Sequence, residues 1–245
     1  MADGAYRRTI ELDGHPGVVE LGPPDALGLG GRRSADELLL RAHLPRWEGL
    51  IHVVQQARRL VGRDVDPGPA DALLATDPVL GPLVAASPGL VPPGAWDPFE
   101  VGVRAIVGQQ VTVAGAATLL ARLAERLGEP VPGLGPLGLS VRFPSADAVA
   151  AAGVDELAGL GLTGTRVAAL RAFAAAVADG RLPLDRAWSH AELVATLTAL
   201  PGVGPWTAEY VALRLGEPDA FPADDLGLRR AAAAEDGPPL SAAEL

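Results

Sequence analysis

The segment Leu200-Pro-Gly-Val-Gly-Pro-Trp-Thr-Ala-Glu-Tyr-Val-Ala-Leu-Arg214 gathers the residues whose types and spacing could do chemistry. Gly202 and Gly204 flank one apolar residue, Val203, and Pro205 follows where proline commonly opens a helix. Two glycines so placed let the chain reverse. They also leave backbone amides free at the second helix's N-terminus, an arrangement suited to a phosphate. An ordinary helical hairpin whose glycines only serve packing has the same local pattern. The wider spacing extends it: Thr207-Ala208 stand at a fixed offset, and an acidic pair, Asp224-Asp225, closely precedes Arg229-Arg230. Trp206 and Tyr210 lie one helical turn apart, so their rings share a side and can wall an apolar pocket; the plainer reading of each is core packing.

What is missing narrows the chemistry further. The 245 residues contain no Cys, which excludes disulfides, thiolate zinc sites, an iron–sulfur cluster and cysteine nucleophiles. All 20 basic residues are Arg; without Lys there is no P-loop and no side-chain Schiff base. The formal net charge of −10 argues against a protein that coats nucleic acid non-specifically. It leaves room for one that grips a few phosphates through backbone amides. Residues 1–14 carry charges where a signal peptide needs an apolar run, and the uncharged stretch 78–95 is broken by proline and glycine. The sequence therefore reads as a soluble, cytoplasmic protein with no membrane partner.

The elements that must position these residues follow from periodicity. Residues 6–12 and 17–21 alternate imperfectly around a turn at Asp13-Gly14-His15-Pro16, and 37–44 form a weaker third strand. Over 46–61 the period becomes helical, with Leu50, Val53, Val54, Ala57, Leu60 and Val61 on one face. This gives a small α+β domain over 1–66 and a helical region over 67–245. Asp97 caps a helix that Pro98 opens, a break at Gly108-Gln109-Gln110 leads into a second helix closed by Gly128, and 128–143 is a Pro/Gly-rich loop. Helices follow over 145–152, 154–160 and 163–178, then a connector over 183–187. Ser189 with Glu192 three residues on has capping-box spacing before the hairpin. The four histidines show no ligand spacing and read as surface or packing residues; Trp47, Trp96 and Trp188 read as structural.

Taken together, Tyr6-Arg-Arg-Thr-Ile-Glu-Leu-Asp-Gly-His-Pro-Gly17, Asp97-Pro-Phe-Glu-x-Gly-Val-Arg-Ala-Ile-Val-Gly-Gln-Gln-Val111, the hairpin and Phe221-Pro-Ala-Asp-Asp225 resemble the helix-hairpin-helix (HhH-GPD) DNA glycosylases. Within them the chain is similar to the AlkA-type DNA-3-methyladenine glycosylase II branch. The resemblance implies an α+β protein with an AlkA-like N-terminal domain and an all-helical glycosylase region. It implies that Asp225, five residues before Arg230, is the catalytic carboxylate, with Asp224 left as a helix N-cap. Gly202, Val203, Gly204 and Thr207 would hold a DNA phosphate. A structural Na+ or K+ would sit on the backbone carbonyls of Thr198, Leu200 and Val203, with no other cofactor. Trp206 occupies the slot of the Schiff-base lysine of lyase-type relatives. The loop at Gln109 and Gln110 would enter the minor groove, with Gln110 where better-known members carry an apolar wedge.

The implied partner is double-stranded DNA containing alkylated bases, bound by a monomer. An N-alkylated purine is already cationic and leaves readily, so the transition state chiefly needs a negative charge beside the developing oxocarbenium ion. Family members continue for several tens of residues past the catalytic helix, whereas this chain ends at Leu245. Either the sequence is truncated, or this version uses a reduced, impaired pocket. The reading is a working monofunctional glycosylase. Its rival is a non-catalytic lesion-binding module that keeps the hairpin but lost activity with its missing C-terminal helices, and a purely structural helical protein follows only if the motif spacing is accidental.

Overall fold

The computed structural model describes residues 4–29, 37–131, 138–184, 188–233 and 239–243. It divides into two compact units, Met1–Trp96 and Asp97–Leu245.

The first unit opens with an antiparallel sheet of β1 (Tyr6–Leu12), β2 (His15–Gly22) and β3 (Leu39–His43), in that spatial order. Leu12 pairs with His15, so the turn is only Asp13-Gly14, and both residues have positive φ (50° and 78°). That is the two-residue turn whose twist matches a hairpin. The imperfect alternation of β2 has a physical cause: the strand is buried on both faces. One face packs Ile10 and Val19 with Val53 of α1 (Leu50–Leu60). On the other, Glu20 is 2% exposed between Arg7 and Arg41, its cross-strand partners, at 2.8 and 3.2 Å, with His43 Nε2 at 3.0 Å. Burial would raise this carboxyl; His43, Arg7 and Arg41 together hold it below the usual range.

The domain boundary moves from Asp66 to Trp96. Helices α2 (Gly68–Leu74) and α3 (Leu80–Ala86) bury no residue of their own, but the segment around them is tied back to α1. The Gln56 amide donates to the Trp96 carbonyl, and a Cβ on Gly94 would lie 2.5 Å from the Arg59 carbonyl oxygen. Arg8 sits over the Trp96 ring, whereas Trp47 is 70% exposed and is not a core residue.

In the second unit, α4 (Pro98–Val107) is buried almost all round, as an apolar helix at the centre of a bundle must be. Asp97 caps it, accepting the amide of Glu100 at 3.1 Å. After it come α5 (Val113–Leu127), a short ribbon of β4 (Glu129–Pro130) and β5 (Val141–Arg142), then α6 (Ala146–Ala151), α7 (Val154–Gly159) and α8 (Gly164–Ala178). The ribbon lies inside the stretch read as loop; its residues 132–137, like 185–187 of the connector, fall outside the described residues. The unit ends with α9 (His190–Thr198), α10 (Pro205–Leu215) and α11 (Leu226–Ala231). Helix α4 packs on α8 and α10, with Phe99 and Phe173 stacked at 5.5 Å. Among the described residues no helix is long and apolar enough to cross a membrane.

Candidate active site

The hairpin is built as its spacing requires. Ser189 and Glu192 form the full capping box at the start of α9. The turn then closes with the Val203 amide on the Leu200 carbonyl at 3.2 Å, and Gly202 takes φ +74°. Gly202 is needed twice over, because a Cβ there would also stand 3.0 Å from Ala169 Cβ. Val203 is buried and plugs the turn onto the core. Gly204 caps α10 without a side chain and Pro205 has no N–H. The amides of Trp206 and Thr207 are therefore left without intrahelical acceptors.

Thr207 itself is 3% exposed, and its hydroxyl accepts from Gln109 Nε2 at 3.0 Å. Only its backbone amide can serve a phosphate. The same Gln109 nitrogen donates to the Gly202 carbonyl at 3.0 Å, and the Gln109 carbonyl accepts from Arg166. Half-buried Gln109 thus braces the 108–112 loop against the hairpin. Its neighbour Gln110 is exposed and has φ +54°, which turns it outward at the loop tip.

Across the hairpin, α10 brings its aromatic pair to the acidic pair. Trp206 and Tyr210 stack with centroids 5.4 Å apart and planes 16° from parallel. The Trp206 indole Nε1–H donates to Asp225 Oδ2 at 2.8 Å. Asp225 Oδ1 accepts the amides of Gly227 and Leu228 at 2.8 and 3.1 Å. Asp225, not Asp224, is therefore the N-cap of α11, and the candidate catalytic group has two duties. The spacing could not separate the pair, since either aspartate is a good cap by type. Burial alone would raise the Asp225 pKa; the bonds from Trp206, Leu228 and Gly227 outweigh it and hold the carboxyl below the usual aspartate range.

A depressed pKa has a defined signature. The bonds to ionised Asp225 stabilise the fold fully above the pKa of the unfolded chain, and that contribution fades as pH falls through the lower folded value. A carboxyl 13C titration of the free protein should place the Asp225 midpoint below that of an exposed aspartate. Trp206→Phe, which deletes the side-chain donor while burial persists, should move it upward. A wild-type midpoint at or above the ordinary value would contradict the geometry.

Two histidines read as surface or packing residues have acidic partners. His43 joins Glu20, and His190 Nε2 lies 2.9 Å from Glu209 Oε2. Trp188 anchors through its indole to the Pro183 carbonyl at 2.7 Å.

A two-helix turn with open amides, set beside a locked carboxylate and an aromatic pair, is a helix-hairpin-helix arrangement. Residues 103–236 match the HhH-GPD superfamily base excision DNA repair protein, and residues 1–97 match the AlkA N-terminal domain. The chain belongs to the HhH-GPD superfamily of base excision DNA repair proteins. It is 43% identical over 228 residues to DNA-3-methyladenine glycosylase 2 of Escherichia coli, covering 92% of this chain and 74% of that protein. It is 38% identical over 231 residues to the probable bifunctional transcriptional activator/DNA repair enzyme AlkA of Mycobacterium tuberculosis, covering 94% of this chain but 44% of that protein. Among solved structures, the 3-methyladenine DNA-glycosylase of Archaeoglobus fulgidus superposes with a TM-score of 0.79 at 27% identity, covering 98% of this chain and 79% of that one.

Proposed function

We propose that this chain is a monofunctional DNA glycosylase that hydrolyses the N-glycosidic bond of alkylated purines of the 3-methyladenine type in duplex DNA. The observation that carries the reading is the bond between Trp206 and Asp225, which makes one rigid unit of a carboxylate held in its charged form and an aromatic wall. The names of the relatives, DNA-3-methyladenine glycosylases, point to the same substrate class.

In this mechanism the hairpin amides at Gly202, Gly204 and Thr207 seat one backbone phosphate at the N-terminus of α10. Gln110, at the tip of the braced loop, enters the minor groove as the damaged nucleotide leaves the stack. The indole N–H of Trp206 is committed to Asp225. Its free face can therefore meet a base only by stacking, and a cationic, electron-poor purine is the base that gains most. Asp225 stabilises positive charge as the C1′–N bond breaks. The base departs with the electron pair, and water adds at C1′, its proton passing to the carboxylate and on to solvent.

A monovalent cation at the hairpin belongs to the same proposal. Neutral carbonyl oxygens are the donors such an ion takes, and the Leu200 carbonyl retains a second lone pair beyond the Val203 bond. The protein would act as a cytoplasmic monomer.

The test is release of 3-methyladenine from methylated duplex DNA, with borohydride present in a parallel reaction. An imine with the sugar needs an amine, and the chain holds no lysine. The expected result is free base, a strand that breaks only after alkali, and no trapped protein–DNA adduct. Adduct formation at the rate of base release would overturn the hydrolytic mechanism. Tight lesion binding without release would favour the non-catalytic module.

A further inference from the structure

We propose that Glu209 is a positioning residue for Asp225, acting through the backbone of the loop between them. The inference rests on Asp225 being the catalytic carboxylate. Glu209 lies on α10 three residues beyond Trp206, and its side chain is 19% exposed. Its Oε2 accepts the Phe221 amide at 3.1 Å and lies 2.9 Å from Nε2 of His190, the first residue of α9. The loop from Phe221 to Asp225 is closed on itself: the Ala223 amide donates to the Phe221 carbonyl, and the Asp225 amide to the Pro222 carbonyl, each at 2.8 Å.

Both ends of this loop are thus fastened to one helix. Trp206 holds the Asp225 carboxylate, and Glu209 holds the Phe221 amide about one turn further along. A loop tied at one point can pivot about it; a second tie removes the rotation. The Phe221 ring cannot supply that tie, being 49% exposed. Ala220 and Pro222 are buried on either side, but apolar contact sets depth and not direction. The Glu209 bond is directional and charge-assisted, and it joins α9, α10 and the loop at one oxygen.

Single-turnover release of methylated purines by the full chain tests this. Glu209→Ala should slow release about 10- to 100-fold, the scale of a small misplacement of a reacting group, while affinity for an abasic-analogue duplex changes less than about threefold. Glu209→Gln, which keeps an acceptor for the Phe221 amide, should restore most of the rate. Glu209→Asp keeps the charge but retracts the oxygen, so it should fall between them. In an Asp225→Asn background Glu209→Ala should cost nothing more, because the group it positions is already gone. A further loss there, or equal losses of rate and binding, would leave only a structural role and overturn the proposal.

A readout independent of turnover is the indole N–H resonance of Trp206. Glu209→Ala and Glu209→Asp should both shift it upfield as the bond to Asp225 loosens, while that of Trp188 stays fixed. If wild type releases no base, the reading of Asp225 fails, and this shift alone decides whether Glu209 holds the loop; an unmoved resonance overturns the proposal.

Discussion

Asp225→Asn should lower base release by at least about a hundredfold, the scale on which one placed electrostatic group acts, while binding to damaged duplex stays within a few-fold. The asparagine can keep the cap, because one oxygen still accepts the Gly227 and Leu228 amides. It then turns its NH2 group toward the Trp206 indole, where donor meets donor and the bond is lost. The variant should therefore fold with a cost of about 1 kcal/mol, the size of one hydrogen bond. Thermal melting, lesion binding and single-turnover release separate the three effects. Full activity in Asp225→Asn together with a dead Asp224→Asn would mean that the other member of the pair carries the reaction.

A large loss of stability should come from Gly102→Ala, at a buried position on α4. A Cβ at Gly102 would stand 2.1 Å from Phe173 Cζ and 2.6 and 2.8 Å from the two Cε atoms. Phe173 is 1% exposed and stacked on Phe99, so it has nowhere to retreat without disturbing the contact of α4 with α8. Overpacking of this kind costs about 1–3 kcal/mol, and the rigid ring puts this case near the top. At roughly 2–4 °C per kcal/mol for a chain of this size, the melting temperature should drop by roughly 6–12 °C. Phe173→Leu should recover part of the loss in the double variant. An unchanged melting point would show that the ring moves freely.

What was legible in the sequence was local. The caps at Asp97 and Ser189 depend on residues within three positions, and the glycine–proline turn at 202–205 carries its own conformational signature. The placing of Trp206 and Asp225 in one site came through family likeness, since nothing in the eighteen intervening positions dictates it. Contacts across longer separations were not legible at all. Gln109 reaches Thr207 across 98 positions, a strut between loop and hairpin that no local pattern announces. Glu20, read as an ordinary strand residue, is buried because two arginines and a histidine on flanking strands meet it. The boundary at Trp96 escaped for the same reason. Helices α2 and α3 have no buried stripe to mark which neighbour they belong to, and backbone contacts with α1 decide it.

The Gln109 strut has a mechanical consequence. One side-chain nitrogen pins the loop that carries Gln110 to both the Gly202 carbonyl and the Thr207 hydroxyl. If the loop tip and the hairpin turn both meet DNA as proposed, they would act as the two jaws of a caliper whose gauge these bonds hold. A duplex that touches both jaws has to take up the mismatch in its own helix axis, and sequences or lesions that soften the duplex do so at lower cost. Stiffness in the protein would then act as a filter on the nucleic acid. Gln109 would then help set which sites are tried first through the spacing it fixes.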